Sequence, residues 1–588
     1  MEYKVITGTL EAKTAVHIGT GASNELTDAL IRRDNEGQPF IPGTAIAGAL
    51  RALLTRLAPR LGKTPCNVLN VNKEQQSKPC NCAVCNLFGD INPSDENDST
   101  SEASRLLVFN AHQQDEGLSY HPIIRDSVGI DRSTGTAARA DGIKFDLEVI
   151  PAGTTFKLRI ELRDIDNAGE QLLAAGLSEW TEGRLKLGGR VARGLGSFKL
   201  TGLQYKTMPL DNAEQLMSFL REDKPWKNAN TSDGWFNEHL EKIKPVKIST
   251  DMPETISRGW FSLQGILQAE GPLLTNDILS VGTSGFDHAP ALSQLHNWLN
   301  PVLTGASLRG VFRSHAERLA RTLTTLQAKD KGDFLSRCPA CDPNVREQDK
   351  TSKLPLESCD SLIKKYNAQA NNKPEKQIDE PENITDSLCL ACRLFGSTRL
   401  GSRLIIEDAP YHQSTNSQSK PEYKMLDFLA IDRFTGGGVD GAKFDALALW
   451  KPAFRLNLYL ENPEPWELGW LWLVIRDLAA GWLTVGFGSA KGLGKVGLTN
   501  WKATFGYLHP EDAPLGLIEL NLQTQKCGIY TTKTITLNTD KKFDMIQKWV
   551  NCFIDEVINF QRLDSIILTE DSYFDDIKDI YSDKGGAP

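Results

Sequence analysis

The sequence predicts two tandem α+β domains, and three observations lead there. Five sequence blocks occur twice in one order. Each copy reads as strand, helix, strands, helix, strand. Each copy also breaks that pattern with a polar, cysteine-bearing insertion. IPGTAIAGALR (Ile41–Arg51) matches LTGASLRGVFR (Leu303–Arg313), and CAVCNLFG (Cys82–Gly89) matches CLACRLFG (Cys389–Gly396). SRLLVFNA (Ser104–Ala111) matches SRLIIEDA (Ser402–Ala409), and IDRSTGTAARADGIKFD from Ile130 matches IDRFTGGGVDGAKFD from Ile431. LGGRVARGLGS (Leu187–Ser197) matches VGFGSAKGLGK (Val485–Lys495). The offset is 262 at Gly43/Gly305, 307 at Cys85/Cys392, 301 at Ile130/Ile431 and 298 at Gly194/Gly492. The step from 262 to 307 gives copy two about 45 extra residues before its last cysteine pair. The chain therefore reads as a duplication of one domain of roughly 200–250 residues, an ordinary domain size.

Copy one opens with alternating strand-like residues, TGTLEAKTAVHI, and a GTG turn. A helix follows from Thr44, with Ile46, Leu50, Leu53, Leu54 and Leu57 at helical spacing and Pro59 to stop it. Strands are expected at LLVFN, TTFKLRIEL and SFKLTGLQY, with the helix EQLLAAGLSEWTEG entering a Gly-Leu-Gly loop before the last. That order is an α+β pattern of the split ferredoxin-like kind. The expected division is 1–207 for copy one, 208–255 for a polar connector, 256–510 for copy two and 511–588 for a C-terminal extension. INPSDENDSTSE at 91–102 and the polar stretch 366–388 read as disordered by composition. In the extension Phe543, Ile546, Trp549, Val550, Phe553, Ile554, Val557 and Phe560 form a helical apolar stripe, expected to pack back on copy two.

The 588-residue chain carries a net charge of −9, which argues against indiscriminate nucleic-acid binding. Residues 511–588 hold 14 acidic and 8 basic residues, so they account for −6 of it and the two copies are close to neutral. No run of about 18 apolar residues is present, and MEYKVITGTLEAK lacks a signal-peptide pattern. The expected location is the cytoplasm, where thiols stay reduced, so the eleven cysteines read as metal ligands and core residues. Cys66, Cys80, Cys82 and Cys85 in copy one, and Cys338, Cys341, Cys389 and Cys392 in copy two, can each supply four thiolates to a closed structural zinc site. Cys359, Cys527 and Cys552 stand outside ligand spacing and are expected to be packing residues.

Several matched residues suit phosphate. Gly135 and Gly436 to Gly438 form turns that can approach a backbone, next to Arg132 and Arg433. The glycine loops carry Arg190, Arg193, Gly194 and Gly196 in copy one and Lys491, Gly492 and Gly494 in copy two. Arg51 and Arg313 sit near Gly-led helix starts, where N–H groups favour anions. A dinucleotide-binding reading of GFGSAKGLGKVG fails, because no GxGxxG follows a strand and opens a helix there.

Taken together, the IPGTAIAGALR helix start, CxxCxLFG, IDRxTG…F and the C-terminal GLG loop resemble the repeat-associated (RAMP) backbone subunits of type III CRISPR effector complexes. Two fused copies resemble the double-backbone subunit of the type III-D variant. The resemblance covers both copies. It implies in each an RRM-like (ferredoxin-like) palm, a zinc-bearing insertion, and a β-hairpin thumb formed by the repeated phrase. It implies binding of a guide CRISPR RNA and a complementary target RNA by backbone rather than base contacts, with one pair displaced roughly every six nucleotides. It also implies contact with other type III effector subunits, including further backbone subunits and the large polymerase-cyclase subunit.

In that family an Asp in the loop before the helix start is needed for target-RNA cleavage. The matching residue is Asp28, and after a three-residue shift Asp287 in copy two. Such an Asp would assist in-line attack of a 2′-OH, with Mg²⁺ or another divalent ion as helper. Glu25, Arg32 and Arg33 lie nearby in sequence. Three alternatives stand beside this reading. One is a scaffold that binds both RNAs and cuts neither. Another is a guide-processing ribonuclease using His17, His112, His121 or His288, although the counterpart of His17 in copy two is Ser280. The third is a zinc-stabilised protein-interaction module.

Overall fold

The computed structural model describes residues 2–25, 27–64, 66, 80, 82–90, 102–114, 122–131, 135–138, 144–248, 255–277, 281–282, 284–295, 298–342, 356–369, 378, 381–413, 420–536 and 542–563. Copy one contains β1 (Glu2–Ala12), α1 (Gly43–Leu57), β2 (Leu106–Val108), β3 (Ile123–Val128), β4 (Lys144–Val149), β5 (Thr155–Leu162), α2 (Asn167–Thr181) and β6 (Ser197–Pro209). Copy two contains β7 (Gly259–Ala269), α3 (Gly305–Gln327), α4 (Cys359–Gln369), β8 (Leu404–Ile406), β9 (Tyr423–Ile431), β10 (Gly438–Trp450), β11 (Ala453–Glu461), α5 (Pro465–Ala479) and β12 (Val496–Tyr507). After them come β13 (Thr524–Cys527), β14 (Tyr530–Thr536) and α6 (Lys542–Asn559).

The two copies have the same sheet. In copy one the order is β6-β1-β5-β2, with every pairing antiparallel. In copy two it is β12-β7-β11-β8, again antiparallel. The helices α1 and α2 cover one face. Ile46, Leu50, Leu54 and Leu57 are the buried stripe of α1, repeating at three- and four-residue steps. Gly176 of α2 lets the helices close, since a Cβ there would lie 2.6 Å from Leu54 Cδ2. Pro42 gives α1 no side-chain cap; Asn110 Oδ1 accepts from Gly43 N at 2.9 Å instead. In copy two Asp408 Oδ1 accepts from Gly305 N at 2.9 Å, the same bond at the equivalent position.

The repeated phrase joins two strands outside these sheets. β3 and β4 pair as an antiparallel hairpin with Asp126 opposite Asp146, and β9 and β10 do so with Asp427 opposite Asp445. Gly135 and Gly436 each hold φ at +68° at the turn, a conformation that favours glycine.

The extension adds β14 and β13 to the edge of copy two's sheet, and α6 packs on α5. Phe553 stacks on Trp470 with centroids 5.1 Å apart, and a Cβ at Gly469 would meet Trp549 O at 2.1 Å. The connector folds against copy one: Asn230–Thr231 pairs with β6, and Trp235 stacks on Tyr205 at 4.4 Å while its Nε1 donates to Glu170 Oε2. The reading of 366–388 as disordered is corrected in part, since α4 runs to Gln369 and Pro381–Asp386 is helical. Apolar anchors such as Ile363, Ile378 and Leu388 tie that polar segment to the core. The rest of it, 370–377 and 379–380, lies outside the described residues, as does 91–101. No helix among the described residues is long and apolar enough to cross a membrane.

The copies meet through the glycine loop of copy one. Gly194 is buried against the start of α3, where a Cβ would lie 2.8 Å from Gly305 Cα, and Asp408 N donates to Gly194 O at 3.4 Å. Arg125 Nη1 donates to Asp408 Oδ2 at 2.6 Å. Lys186 Nζ and Ser197 Oγ donate to Glu407 Oε1 at 2.5 and 2.6 Å. Burial opposes the charge on Glu407, but Lys186, Ser197 and Asn457 together hold its carboxyl below its ordinary range.

Because Phe553 is fully buried and stacked, Phe553→Ala is expected to lower unfolding free energy by about 3–5 kcal/mol. Urea titration of the full chain reads that loss.

Candidate metal centres and nucleic-acid interface

Each copy brings four thiols together. Cys66, Cys80, Cys82 and Cys85 have their sulfurs within 4.8 Å of one another, and so do Cys341, Cys359, Cys389 and Cys392. Four sulfurs about 2.3 Å from one zinc ion stand about 3.8 Å apart in a tetrahedron. The observed 3.5 Å for Cys66–Cys85 and for Cys341–Cys392 fits that geometry. Burial, reinforced by Cys66, pushes the Cys85 thiol up to about 12, so a bound cation would displace protons to form the site.

The first cluster gathers the four cysteines that the spacing predicts as ligands. The second requires a correction. Cys359 joins it and Cys338 does not: the start of α4 carries Cys359 to Cys389, whose backbone N donates to Cys359 Sγ at 3.3 Å. Cys338 is fully buried, and its thiol reaches Ala340 O. Adjacent CxxC spacing does not select ligands when a helix from the insertion supplies a sulfur from elsewhere. Cys527 and Cys552 lie outside both groups.

Arg51 and Arg313 are corrected too. Rather than offering their guanidinium groups to phosphate, both serve the thiol clusters. Arg51 Nη2 donates to Cys85 Sγ at 3.4 Å and Gly89 O at 3.3 Å. Arg313 is buried, paired with Glu317 at 2.8 Å, and its Nη2 donates to Cys392 Sγ at 3.5 Å. Each guanidinium stands just outside the four sulfurs, where it would balance thiolate charge once a metal ion is bound. Their recurrence at one helix position is the duplication's signature.

The glycine loops divide. Gly194, Gly196 and Gly494 are buried, and a Cβ at Gly196 or Gly494 would meet the carbonyl of Leu187 or Val485 at 2.1 Å. These glycines are there for close packing, which corrects their assignment to RNA. Arg193, Lys491 and Gly492 remain exposed. Arg190 stacks over Phe145 at 4.1 Å, and Lys491 lies over the equivalent Phe444 at 4.2 Å. Arg433 is exposed at the hairpin turn beside Phe434, which is 100% exposed. Arg132 and His121 lie outside the described residues.

Asp28 and Asp287 are exposed and occupy equivalent places. Asp28 Oδ2 accepts from Asp146 N at 2.8 Å, and Asp287 Oδ2 accepts from Asp445 N at 3.0 Å. The three extra residues of the copy-two loop therefore fall between the carboxylate and the helix start. In copy two the contact is reciprocal, since Asp287 N also donates to Asp445 Oδ1 at 2.9 Å. Arg33 pairs with Glu148 at 2.5 Å, away from Asp28, and Arg32 N donates to Ile18 O. Glu25 is exposed.

The hairpin aspartates escaped the sequence reading, although the final FD of the repeated phrase was the available signal. Asp126 Oδ2 and Asp146 Oδ1 are buried atoms with no hydrogen-bond partner among the described residues. Burial, then the neighbouring Asp146 carboxyl, raises Asp126 to about 6. Of the histidines, His17 is buried with Nδ1 against Glu148 O at 2.7 Å. His288 is packed between Phe444 and Phe487, and His112 lies 3.3 Å from Asp34. Among the described residues these three histidines have separate partners.

Comparison with known proteins supports the duplication. The RAMP superfamily profile matches residues 9–199 and 291–497. The CRISPR system Cms endoribonuclease Csm3 of Methanocaldococcus jannaschii is 27% identical over 223 residues, which span 36% of this chain and 83% of that protein.

Metal analysis of the purified chain is expected to find two zinc ions, falling to one in Cys359→Ser and staying at two in Cys338→Ser. Retention of both ions by Cys359→Ser would refute the ligand set. For Asp126 the sign is that of a carboxyl raised from 3.8 to about 6. The folded state favours its neutral form, so that stabilisation is present below about pH 4 and is lost as pH rises through about 6. Asp126→Asn is therefore expected to melt higher than the parent at pH 7.5, with the gap closing at pH 4.

Proposed function

The chain belongs to the RAMP superfamily, and on that premise we propose that it is a double backbone subunit of a type III CRISPR RNA-guided complex, most like the type III-D fused form. On this reading each sheet with its helices is an RRM-like, ferredoxin-like palm, and each hairpin is a thumb. The subunit holds a guide RNA, accepts a complementary target RNA, and cuts that target near each thumb. It works in the cytoplasm beside further backbone subunits and the polymerase-cyclase subunit.

The observation that carries the reading is the repeated carboxylate. Asp28 and Asp287 each meet the backbone amide of the aspartate at the base of a hairpin, at 2.8 and 3.0 Å. The same acid stands twice where a thumb would distort a duplex. Exposed apolar residues along the second hairpin, Leu429, Ile431 and Phe434, suit insertion among bases. Arg433 at the hairpin turn and Lys491 in the glycine loop are exposed cations beside such a path.

The proposed chemistry follows. The distorted target presents a 2′-OH in line with the adjacent phosphorus and its 5′-oxygen. Asp28 accepts the 2′-OH proton through the oxygen not held by Asp146 N, or orients that hydroxyl. The 2′-oxygen bonds to phosphorus, the P–O5′ bond breaks, and the 5′-oxygen takes a proton from water. The products are a 2′,3′-cyclic phosphate and a 5′-OH end. The orphaned carboxylate oxygens of Asp126 and Asp146 are hard ligands of the kind a divalent cation takes, and Mg²⁺ there would offset charge on the phosphate. Among the described residues only the thiol groups bring three or more ligand atoms within 4.8 Å, so RNA phosphate would complete such a site. The thiol clusters suit structural zinc, since four protein ligands leave no position for substrate.

A second reading, a scaffold that cuts nothing, draws on the reciprocal Asp287–Asp445 bonds, which would account for Asp287 as a structural residue.

Cut-site mapping separates the two readings. The assembled complex with its guide is given end-labelled complementary RNA and Mg²⁺. Asp28→Ala and Asp287→Ala are each expected to abolish one cut, about 10²-fold or more slower, with binding intact. A pattern unchanged in both variants would leave the scaffold.

A further inference from the structure

The C-terminal extension has a second attachment that its apolar stripe does not explain. β14 pairs with β12 and α6 packs on α5, so both lie on copy two. Leu508, Ile529 and Tyr530, however, are buried in the core of copy one. The extension therefore spans both copies.

Its grip on copy one falls at the C-terminal ends of two helices. Past the end of α1, Arg60 lies in the short turn Ala58–Leu61, is fully buried, and pairs through Nη2 with Asp512 Oδ2. Burial pushes the arginine down and the carboxyl up, so each charge depends on the other. Near the end of α2, the turn between β13 and β14 lies on the helix: Gly528 holds φ at +60°, and a Cβ there would meet Ser178 Oγ at 2.9 Å. Beside it Cys527 Sγ donates to Glu182 Oε2 at 3.2 Å and accepts from Arg184 Nη1 at 3.4 Å. Tyr530 and Trp260 cover that same Arg184, which is paired with Glu179 at 2.7 Å.

These are not the residues of the glycine-loop joint, which sets Gly194, Lys186 and Arg125 against Gly305, Glu407 and Asp408. Copy two itself reaches the end of α1 through the Arg56–Glu461 pair at 3.2 Å, whose side chains are 37% and 28% exposed, and such a pair contributes little. A domain held by one set of contacts can turn about them. A second grip on other elements removes that freedom.

We propose that residues 508–536 are a strap that sets the rotation of copy one on copy two, and through it the span between the two hairpins. Asp512, acting through Arg60, and Tyr530, acting through Arg184, are its positioning residues. Neither belongs to a hairpin, a thiol cluster or a loop that carries Asp28 or Asp287. The consequence for cleavage rests on the preceding reading: the strap determines how far apart the two cuts fall.

The span is read by pulsed dipolar EPR on the isolated full chain, with spin labels on unnatural side chains at positions 137 and 440, both exposed in the hairpins. The parent is expected to give one narrow distance. Asp512→Asn keeps an acceptor for His509 N but removes the charge that Arg60 requires, and Tyr530→Ala uncovers Arg184. Each is expected to broaden the distance distribution about twofold or more with metal content unchanged, whereas Tyr530→Phe stays close to the parent. Distances as narrow as the parent's in both Asp512→Asn and Tyr530→Ala would overturn the proposal. In the assembled complex with its guide, the parent is expected to cut at two fixed positions, and the two broadened variants to spread the interval over neighbouring phosphates. An unchanged interval in variants whose distance has broadened would overturn the strap's role in spacing. A parent that binds target and cuts nothing counts against the nuclease reading alone, and the distance measurement still decides the strap.

Discussion

The arrangement of the two copies depends on one carboxylate. Asp408 accepts from Gly305 N at the start of α3 through Oδ1 and from Arg125 through Oδ2, and its own N–H reaches Gly194 O. It therefore fixes a helix start, an ion pair and a loop from the other copy at once. Almost fully buried, it has no water to replace a lost partner, and breaking such a pair costs about 3–5 kcal/mol. Glu407 beside it gathers Lys186, Ser197 and Asn457. Two adjacent acids thus make the joint directional, because only a basic loop satisfies them. The distance between the two hairpins follows from that joint.

The thiol clusters solve a different problem. The insertions are polar in sequence, and in copy two Ile363, Ile378 and Leu388 anchor one of them to the core. Four sulfurs around one point, with Arg51 or Arg313 against a sulfur, tie each insertion to the first helix of its domain. In copy two that helix also begins at Gly305, the residue that faces the glycine loop of copy one. Metal centre and joint therefore share one rigid element, and a disturbance at the cysteines would reach the interface through it.

Much of this was written in the repeats. Leu50 and Leu54 recur on a helical face and are buried, and the first four cysteines are where their spacing put them. Asp28 and Asp287 could be paired from their loops alone, and they do meet equivalent amides. Even the joint left a trace: SRLLVFNA becomes SRLIIEDA, so that Phe109 and Asn110 are replaced by Glu407 and Asp408. The extension's stripe of Trp549, Phe553 and Val557 likewise announced a helix with one apolar side, and that side lies against α5.

Sequence by itself determined the duplication, the order of elements and the residue types at each site, because periodicity, spacing and repetition are local properties of the chain. Only the tertiary structure decided which of those residues meet. It exchanged Cys338 for Cys359, since a ligand is chosen by where its sulfur stands and not by its neighbour in the chain. It turned Arg313 from solvent to a buried sulfur, and it filled the space beside Gly194 while leaving that beside Gly492 open. Identical motifs thus came to serve different ends, because burial depends on what the rest of the fold brings against them.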